Sequence, residues 1–255
     1  MKEQLYTIPV TDAFLSDCEC PLCKMKKDLE QNAIEYTLGP SYMEDDNRAL
    51  TDEMGFCEKH IEDLYQQKNR LGLALILSTH MSKVTKDLKR ISQNVVPSGK
   101  SLLRKKTEES PLGTYVDKLR HNCFICSRIN QTFERYLDTL FHLYKKDSSF
   151  SKTITNSKGL CTYHYALLFD RASDYLPKEQ VKSFISDINT VYFNNMERVQ
   201  EDIEWFINKF DYRYQDEPWK NSKDALPRTI LKTHSSITPD IKEANTPPQT
   251  AEHQV

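Results

Sequence analysis

Two stretches, Cys20-Pro21-Leu22-Cys23 and Gly55-Phe56-Cys57-Glu58-Lys59-His60, recur later in the chain as Cys123-Phe124-Ile125-Cys126 and Gly159-Leu160-Cys161-Thr162-Tyr163-His164. Each pair reads C-x2-C followed by G-[FL]-C-x2-H, with 33 or 34 residues between the second and third cysteines, and the second pair is displaced from the first by 103 or 104 residues. Self-similarity at a fixed displacement marks a repeated structural unit. The 255 residues therefore read as two related halves, each with three cysteines and one histidine.

These residue types suit zinc, which prefers four tetrahedral ligands drawn from Cys sulfur and His nitrogen. A C-x2-C or C-x2-H step places two donors on one side of a single turn, because residues three apart on a helix are neighbours. Within each half the nearest complement is Cys20, Cys23, Cys57 and His60, then Cys123, Cys126, Cys161 and His164. The expectation is two zinc ions per chain, each tying the start of one helix to the start of the next. Gly55 and Gly159, two residues before the third ligand, permit a sharp turn into it. Thiolates at helix amino ends are favoured by the local positive potential. Buried unliganded cysteines and reversible disulfides are the competing readings, since free Cys packs as a small hydrophobe. The haem motif is excluded, because Lys24 and Ser127 stand where its histidine belongs. An iron–sulfur cluster would want four cysteines.

Composition narrows the class. Charged residues make up 28% of the chain and the net charge is −2, which gives no global pull toward nucleic acid or membrane. There is no apolar run of membrane-spanning length and no secretory pattern at the start. Clustered cysteines without a secretory signal fit a reducing, cytoplasmic setting. Seven cysteines leave Cys18 outside the repeat.

Along the chain, Leu5 to Val10 reads as an extended arm, with Pro9 opposing helix at Ile8. Leu22, Met25, Leu29, Ala33 and Tyr36 keep helical spacing up to Gly39-Pro40. Residues 41–55 read as a loop or short turn. A long helix starting near Cys57 keeps one apolar phase from Leu64 to Ile91; Gly72 weakens its middle and Ser78 interrupts the stripe, so it reads as one helix with a bend. Pro97, Gly99 and Pro111 mark a linker at 96–112, separating a first half at 1–95 from a second at 113–212. Tyr115 to Tyr144 reads as another long helix, Lys145 to Lys158 as a polar loop, and the stretch after Cys161 as a short helix. Val181 to Phe210 carries the clearest apolar stripe. From 213 on, polar residues among Pro227, Pro239, Pro247 and Pro248 predict a mostly disordered tail. The fold class is all-α.

Between Met81 and Lys106 the only acid is Asp87, against eight Lys and Arg. A solvated helix end and linker explains this basic strip, and no interleaved aromatics point to base stacking. His80, His121 and His142 read as surface or core histidines. Glu58, Glu62 and Asp63 could orient ligands of the first site. Glycine-rich phosphate loops and nucleophile-elbow motifs are absent from the sequence.

Tyr6-Thr7-Ile8-Pro9-Val10, Ala13-Phe14, Cys20-Pro21-x-Cys23, Gly55-Phe56-Cys57-x2-His60 and the second-half repeat together resemble a family of uncharacterised bacterial proteins common in anaerobic Firmicutes, over roughly residues 1–210. The resemblance implies the architecture and carries no activity. The expected function is a non-enzymatic scaffold or interaction protein with structural zinc and an unidentified protein partner. One alternative is a redox or metal sensor, with Cys18 the first thiol to react and zinc released on oxidation. The other is a metal-dependent hydrolase, which would need an open coordination position.

Overall fold

The computed structural model describes residues 6–93 and 110–238, which are all-α: eleven α-helices and two 3-10 turns, with no strand among the described residues. Two units emerge, residues 28–133 and residues 1–27 with 134–255. This division does not follow the expected halves at 1–95 and 113–212. The boundaries fall inside helices α2 (Pro21–Leu38) and α7 (Phe124–Lys146), so each unit draws on both halves of the sequence. The expected linker at 96–112 lies outside the described residues except for its last three.

The discontinuous unit is built on α10 (Lys178–Asn208), 31 residues long. Its apolar stripe buries Phe184, Ile188, Val191, Tyr192 and Val199. Against it pack α8 (Ser148–Thr155), α9 (Thr162–Tyr175) and α11 (Ala225–His234). Phe141 of α7 stacks on Tyr175 at 4.7 Å between ring centroids and tilts against Phe184 at 5.2 Å. Offset aromatic pairs of this kind add about 0.5–1.5 kcal/mol beyond their buried area.

Three sequence expectations are corrected here. The amino-terminal arm is helical, α1 spanning Thr7–Leu15. Pro9 falls in its first turn, where an amide would have no helical acceptor, so the ring costs nothing. Phe14 then meets Phe150 edge-on at 5.5 Å. The polar loop at 145–158 contains α8, capped by Asp147 accepting from the Ser149 N–H, and it buries Phe150 and Ile154. The stretch from 213 was expected to be mostly disordered, yet it carries a 3-10 turn at Tyr212–Tyr214 and α11, which buries Ala225, Arg228, Leu231 and Lys232. Two of those four are cations, paired as Arg228–Asp202 at 2.8 Å and Lys232–Glu19 at 3.2 Å, so a search for apolar spacing passes over them. Residues from 239 on lie outside the described residues.

The continuous unit contains the body of α2, then a 3-10 turn at Pro40–Met43, α3 (Asp45–Met54), α4 (Glu58–Gln66), α5 (Arg70–Gln93), α6 (Pro111–His121) and the start of α7. Residues 41–55 are thus mostly helical. The expected bent helix over 57–91 is two helices, broken at 67–69 ahead of Gly72. Asn69 makes the break: its Oδ1 accepts from the Gly72 N–H at 2.9 Å while its Nδ2 donates to the Leu38 carbonyl at 2.8 Å. The side chain thus caps α5 and anchors it to the end of α2. The second expected long helix is also two, α6 and α7, parted at Asn122 and Cys123.

Candidate metal centres

All eight sequence-predicted donors come together in two clusters of four, but the pairing is crossed. Cys20 and Cys23 meet Cys161 and His164, whereas Cys57 and His60 meet Cys123 and Cys126. The expected neighbours Cys23 and His60 belong to different clusters, as do Cys126 and His164. Each C-x2-C therefore finds the C-x2-H of the other half, and each cluster lies wholly within one unit.

Every donor pair sits at a helix start. Cys20 directly precedes α2 and Cys23 is in its first turn; Cys123 and Cys126 hold the same places on α7. Cys57 and Cys161 are the N-caps of α4 and α9, with His60 and His164 three residues on. The Cys161 sulfur accepts from the His164 N–H at 3.4 Å and Cys123 from the Cys126 N–H at 3.5 Å. Unpaired amides at a helix start thus point at sulfur and favour the thiolate. Gly55 (φ 62°) and Gly159 (φ 83°) both take the left-handed conformation before the N-cap, as their placement predicted.

In the first cluster the Nδ1 of His164 lies 3.5 Å from the Cys20 sulfur, 3.3 Å from that of Cys23 and 3.2 Å from that of Cys161, and the sulfurs of Cys23 and Cys161 are 3.6 Å apart. In the second, the Nδ1 of His60 lies 3.2 Å from the Cys57 sulfur and 3.3 Å from each of Cys123 and Cys126, with Cys57 and Cys126 4.0 Å apart. A tetrahedral zinc with bonds of about 2.3 Å to sulfur and 2.0–2.1 Å to nitrogen sets S–S edges near 3.8 Å and S–N edges near 3.5 Å. Both clusters match these edges to within a few tenths of an ångström. A disulfide would bring sulfurs to about 2.05 Å, and all seven cysteines are free.

The electrostatics also ask for a cation. Burial pushes the Cys20 thiol up to about 12. Hydrogen bonds from Cys20 and Cys23 hold Cys161 far below the ordinary thiol range, and the bond to Cys161 drives Cys23 far above it. In the second cluster burial pushes Cys126 up to about 12, while the His60 ring overcomes the burial of Cys123 and brings it down to about 6. Burial disfavours charge on His60, yet the Cys123 sulfur and Glu30 outweigh it and raise the ring to about 10. Three sulfurs crowded this closely cannot all ionise unaided. A dication at the centre would supply the missing positive charge and displace the protons.

The surroundings of the two clusters differ. The Nε2 of His60 is 3.1 Å from the Glu30 carboxylate, which also pairs with Lys59 at 2.6 Å. A carboxylate behind a ligating imidazole fixes its ring and raises its basicity. Glu30 is on α2 and was not singled out in the sequence. Of the expected orienting residues, Asp63 reaches Lys59 at 2.8 Å and has a carboxylate oxygen within 4.8 Å of ligand atoms of Glu30 and His60. The Phe124 N–H donates to the Gly55 carbonyl at 3.0 Å, tying both ligand-bearing segments by backbone.

Around the first cluster α11 does the equivalent. The buried Lys232 ammonium donates to the carbonyls of Glu19 at 2.7 Å and Lys158 at 2.5 Å, next to Cys20 and three residues before Cys161. Its carboxylate partner Glu19 also holds Arg198 at 2.6 Å. Ser235 donates to the Cys161 sulfur at 3.1 Å. All four donors of this cluster are buried, while Cys57 and Cys126 of the other are part-exposed.

Cys18 stands apart, bonded to Ser16 and to the Ala13 carbonyl, and burial raises its pKa. His80 donates to the Asp52 carbonyl at 2.8 Å, and His121 is exposed. Among the described residues no helix is long and apolar enough to cross a membrane.

No curated protein and no solved structure matches the chain. The sequence does match one family, described as a family of unknown function, over residues 1–240. Duplicated cysteine–histidine motifs on an all-α frame are thus features of a chain that belongs to the DUF6062 family.

Proposed function

We propose that the protein is a helical scaffold held together by two structural zinc ions, one in each Cys3His cluster, and that it acts as a protein-interaction module rather than an enzyme. The observation that carries this reading is the donor set: four ligand atoms in each cluster lie within 4.8 Å of one another, and three are sulfur. Four protein donors fill a tetrahedral shell, the arrangement of structural zinc, whereas catalytic zinc keeps one position for water. Because ligation organises helix starts from remote segments, binding and folding are coupled. The test is metal analysis of purified protein alongside far-UV circular dichroism. About two zinc per chain, with loss of helicity on chelation, is the expected result. A well-folded protein without metal would reject it.

A sensor reading has one supporting observation, the partial exposure of Cys57 and Cys126. Oxidant would reach that cluster before the buried one. The raised pKa of Cys18 argues against a role as the initiating thiol, because the thiolate is the reactive form.

A further inference from the structure

Helix α11 reaches the first cluster from the far end of the sequence, and little apolar surface holds it there. It has 10 residues, and isolated helices shorter than about 12–15 residues are marginal in water. Its helical state therefore depends on docking. Ala225 and Leu231 are its only fully buried apolar residues, and its other two buried positions are the cations Arg228 and Lys232. Arg228 pins the first half of the helix to α10 through Asp202 at 2.8 Å.

The second half is aimed at the walls of the cluster. Lys232 donates to two ligand-bearing segments at once, through the carbonyls of Glu19 and Lys158. The Thr162 hydroxyl, one residue past Cys161, donates to the Lys232 carbonyl at 3.0 Å, at the helix end where carbonyls lack helical donors. Ser235 ends the helix in the left-handed conformation, φ 58°, and donates to the Cys161 sulfur itself at 3.1 Å. These bonds all require the Cys20 and Cys161 segments to stand at one fixed separation. A metal shared by those segments sets it. Charge agrees with this dependence. Three thiolates, a neutral imidazole and a dication carry −1 in total, and the linked trio of Lys232, Glu19 and Arg198 carries +1. The loaded cluster and the seated helix thus neutralise one another.

We propose that α11 is a latch governed by the metal in the first cluster: it stays seated while that ion is bound and lets go when the ion leaves. Such coupling is reciprocal, so the seated helix tightens the cluster's hold on its ion by the factor with which the ion tightens the helix. The second cluster behaves differently. Its Cys57 and Cys126 are part-exposed, and it lies in the unit that does not contain α11. Its ion exchanges first and leaves α11 seated. Occupancy of one metal site is thereby made visible at the surface, as the seating or release of a helix from α9 and α10. The inference rests on the zinc-scaffold reading and gives one of its two ions a regulatory role.

The test takes the full zinc-loaded chain into excess chromogenic chelator and follows zinc release beside hydrogen exchange of α9, α10 and α11 by mass spectrometry. Zinc is expected to leave in two phases of about one ion each. α11 should stay protected through the fast phase and lose protection with the slow one, before α9 and α10 do. Ser235→Ala and Lys232→Met should each speed the slow phase about tenfold, the scale on which partners of metal ligands act. Ser235 is part-exposed, so the loss of its hydroxyl leaves the core intact, and circular dichroism of the loaded variants checks this. Glu30→Gln, at the second cluster, should speed the fast phase alone and leave α11 unmoved. Exchange of α11 that ignores the slow phase overturns the latch. So does simultaneous loss of protection in α9, α10 and α11, or a slow phase indifferent to both α11 variants. Zinc is counted on the same samples: about two per chain with any of these results rejects the latch alone, whereas a purified chain without zinc rejects the scaffold reading.

Discussion

Paired cysteine substitutions separate crossed from sequential ligation. The first cluster links Cys23 to Cys161 across 138 residues, and the second links Cys57 to Cys126 across 69. Treated as cross-links in the chain-entropy model, closures of these lengths are worth about 5 and about 4.4 kcal/mol. Breaking a cluster removes that much before any change in packing. Cys23→Ser with Cys161→Ser strikes one cluster twice. The second substitution then finds nothing left to break, and the double variant should keep about one zinc and lie within about 0.5 kcal/mol of the single variants. Cys23→Ser with Cys57→Ser strikes both clusters. Both ions should go, and the two losses should add to about 9 kcal/mol, enough to unfold most domains. The assay is zinc by mass spectrometry after gel filtration, with guanidinium titration followed by circular dichroism. If Cys23→Ser/Cys57→Ser keeps one zinc while Cys23→Ser/Cys161→Ser keeps none, the crossed pairing is wrong.

Four further outcomes are expected. Glu30→Gln should weaken zinc at the Cys57 cluster about 10–100-fold in competition with a chromogenic chelator and leave the other cluster unchanged, as removing the carboxylate behind a ligating histidine does elsewhere. The bond from His60 and the pair with Lys59 hold the Glu30 carboxyl down at about 2, so its contribution to stability is present above about 4.5 and lost as pH falls toward 2. Acid denaturation of Glu30→Gln should therefore be shallower across that window than that of the unmodified chain. Gly159→Ala should destabilise by at least 1–2 kcal/mol in thermal melts, because a Cβ at φ 83° would also stand 3.0 Å from the Val191 carbonyl oxygen. Lys232→Met should cost about 3–5 kcal/mol by leaving Glu19 short of a buried partner, and the metal should leave the first cluster faster under chelator.

Much of the site was legible in the sequence. The spacing named the eight residues that cluster, their helix-start positions and the two glycines, because three-residue steps and left-handed turns are local properties. All-α class followed from apolar phase in the same way. Helix ends were less legible: Asn69 and Asp147 stop or start helices through single side-chain bonds, and apolar phase carries straight across such a break. Pro9 misled because a proline is tolerated in a helix's first turn and unwelcome further in.

Which C-x2-C faces which C-x2-H is a different kind of question. Both choices join chemically identical donors, and closing 138 residues rather than about 34 differs by only about 1 kcal/mol of chain entropy. Local chemistry is thus nearly indifferent between them, and the tertiary fold makes the choice. The same holds for Glu30, thirty residues from the ring it steadies, and for Lys232, whose partner Glu19 is at the other end of the chain. The sequence determined what could bind a metal and where each helix would offer its ligands. Tertiary packing alone decided the partners, since it depends on contacts between residues that no local spacing relates.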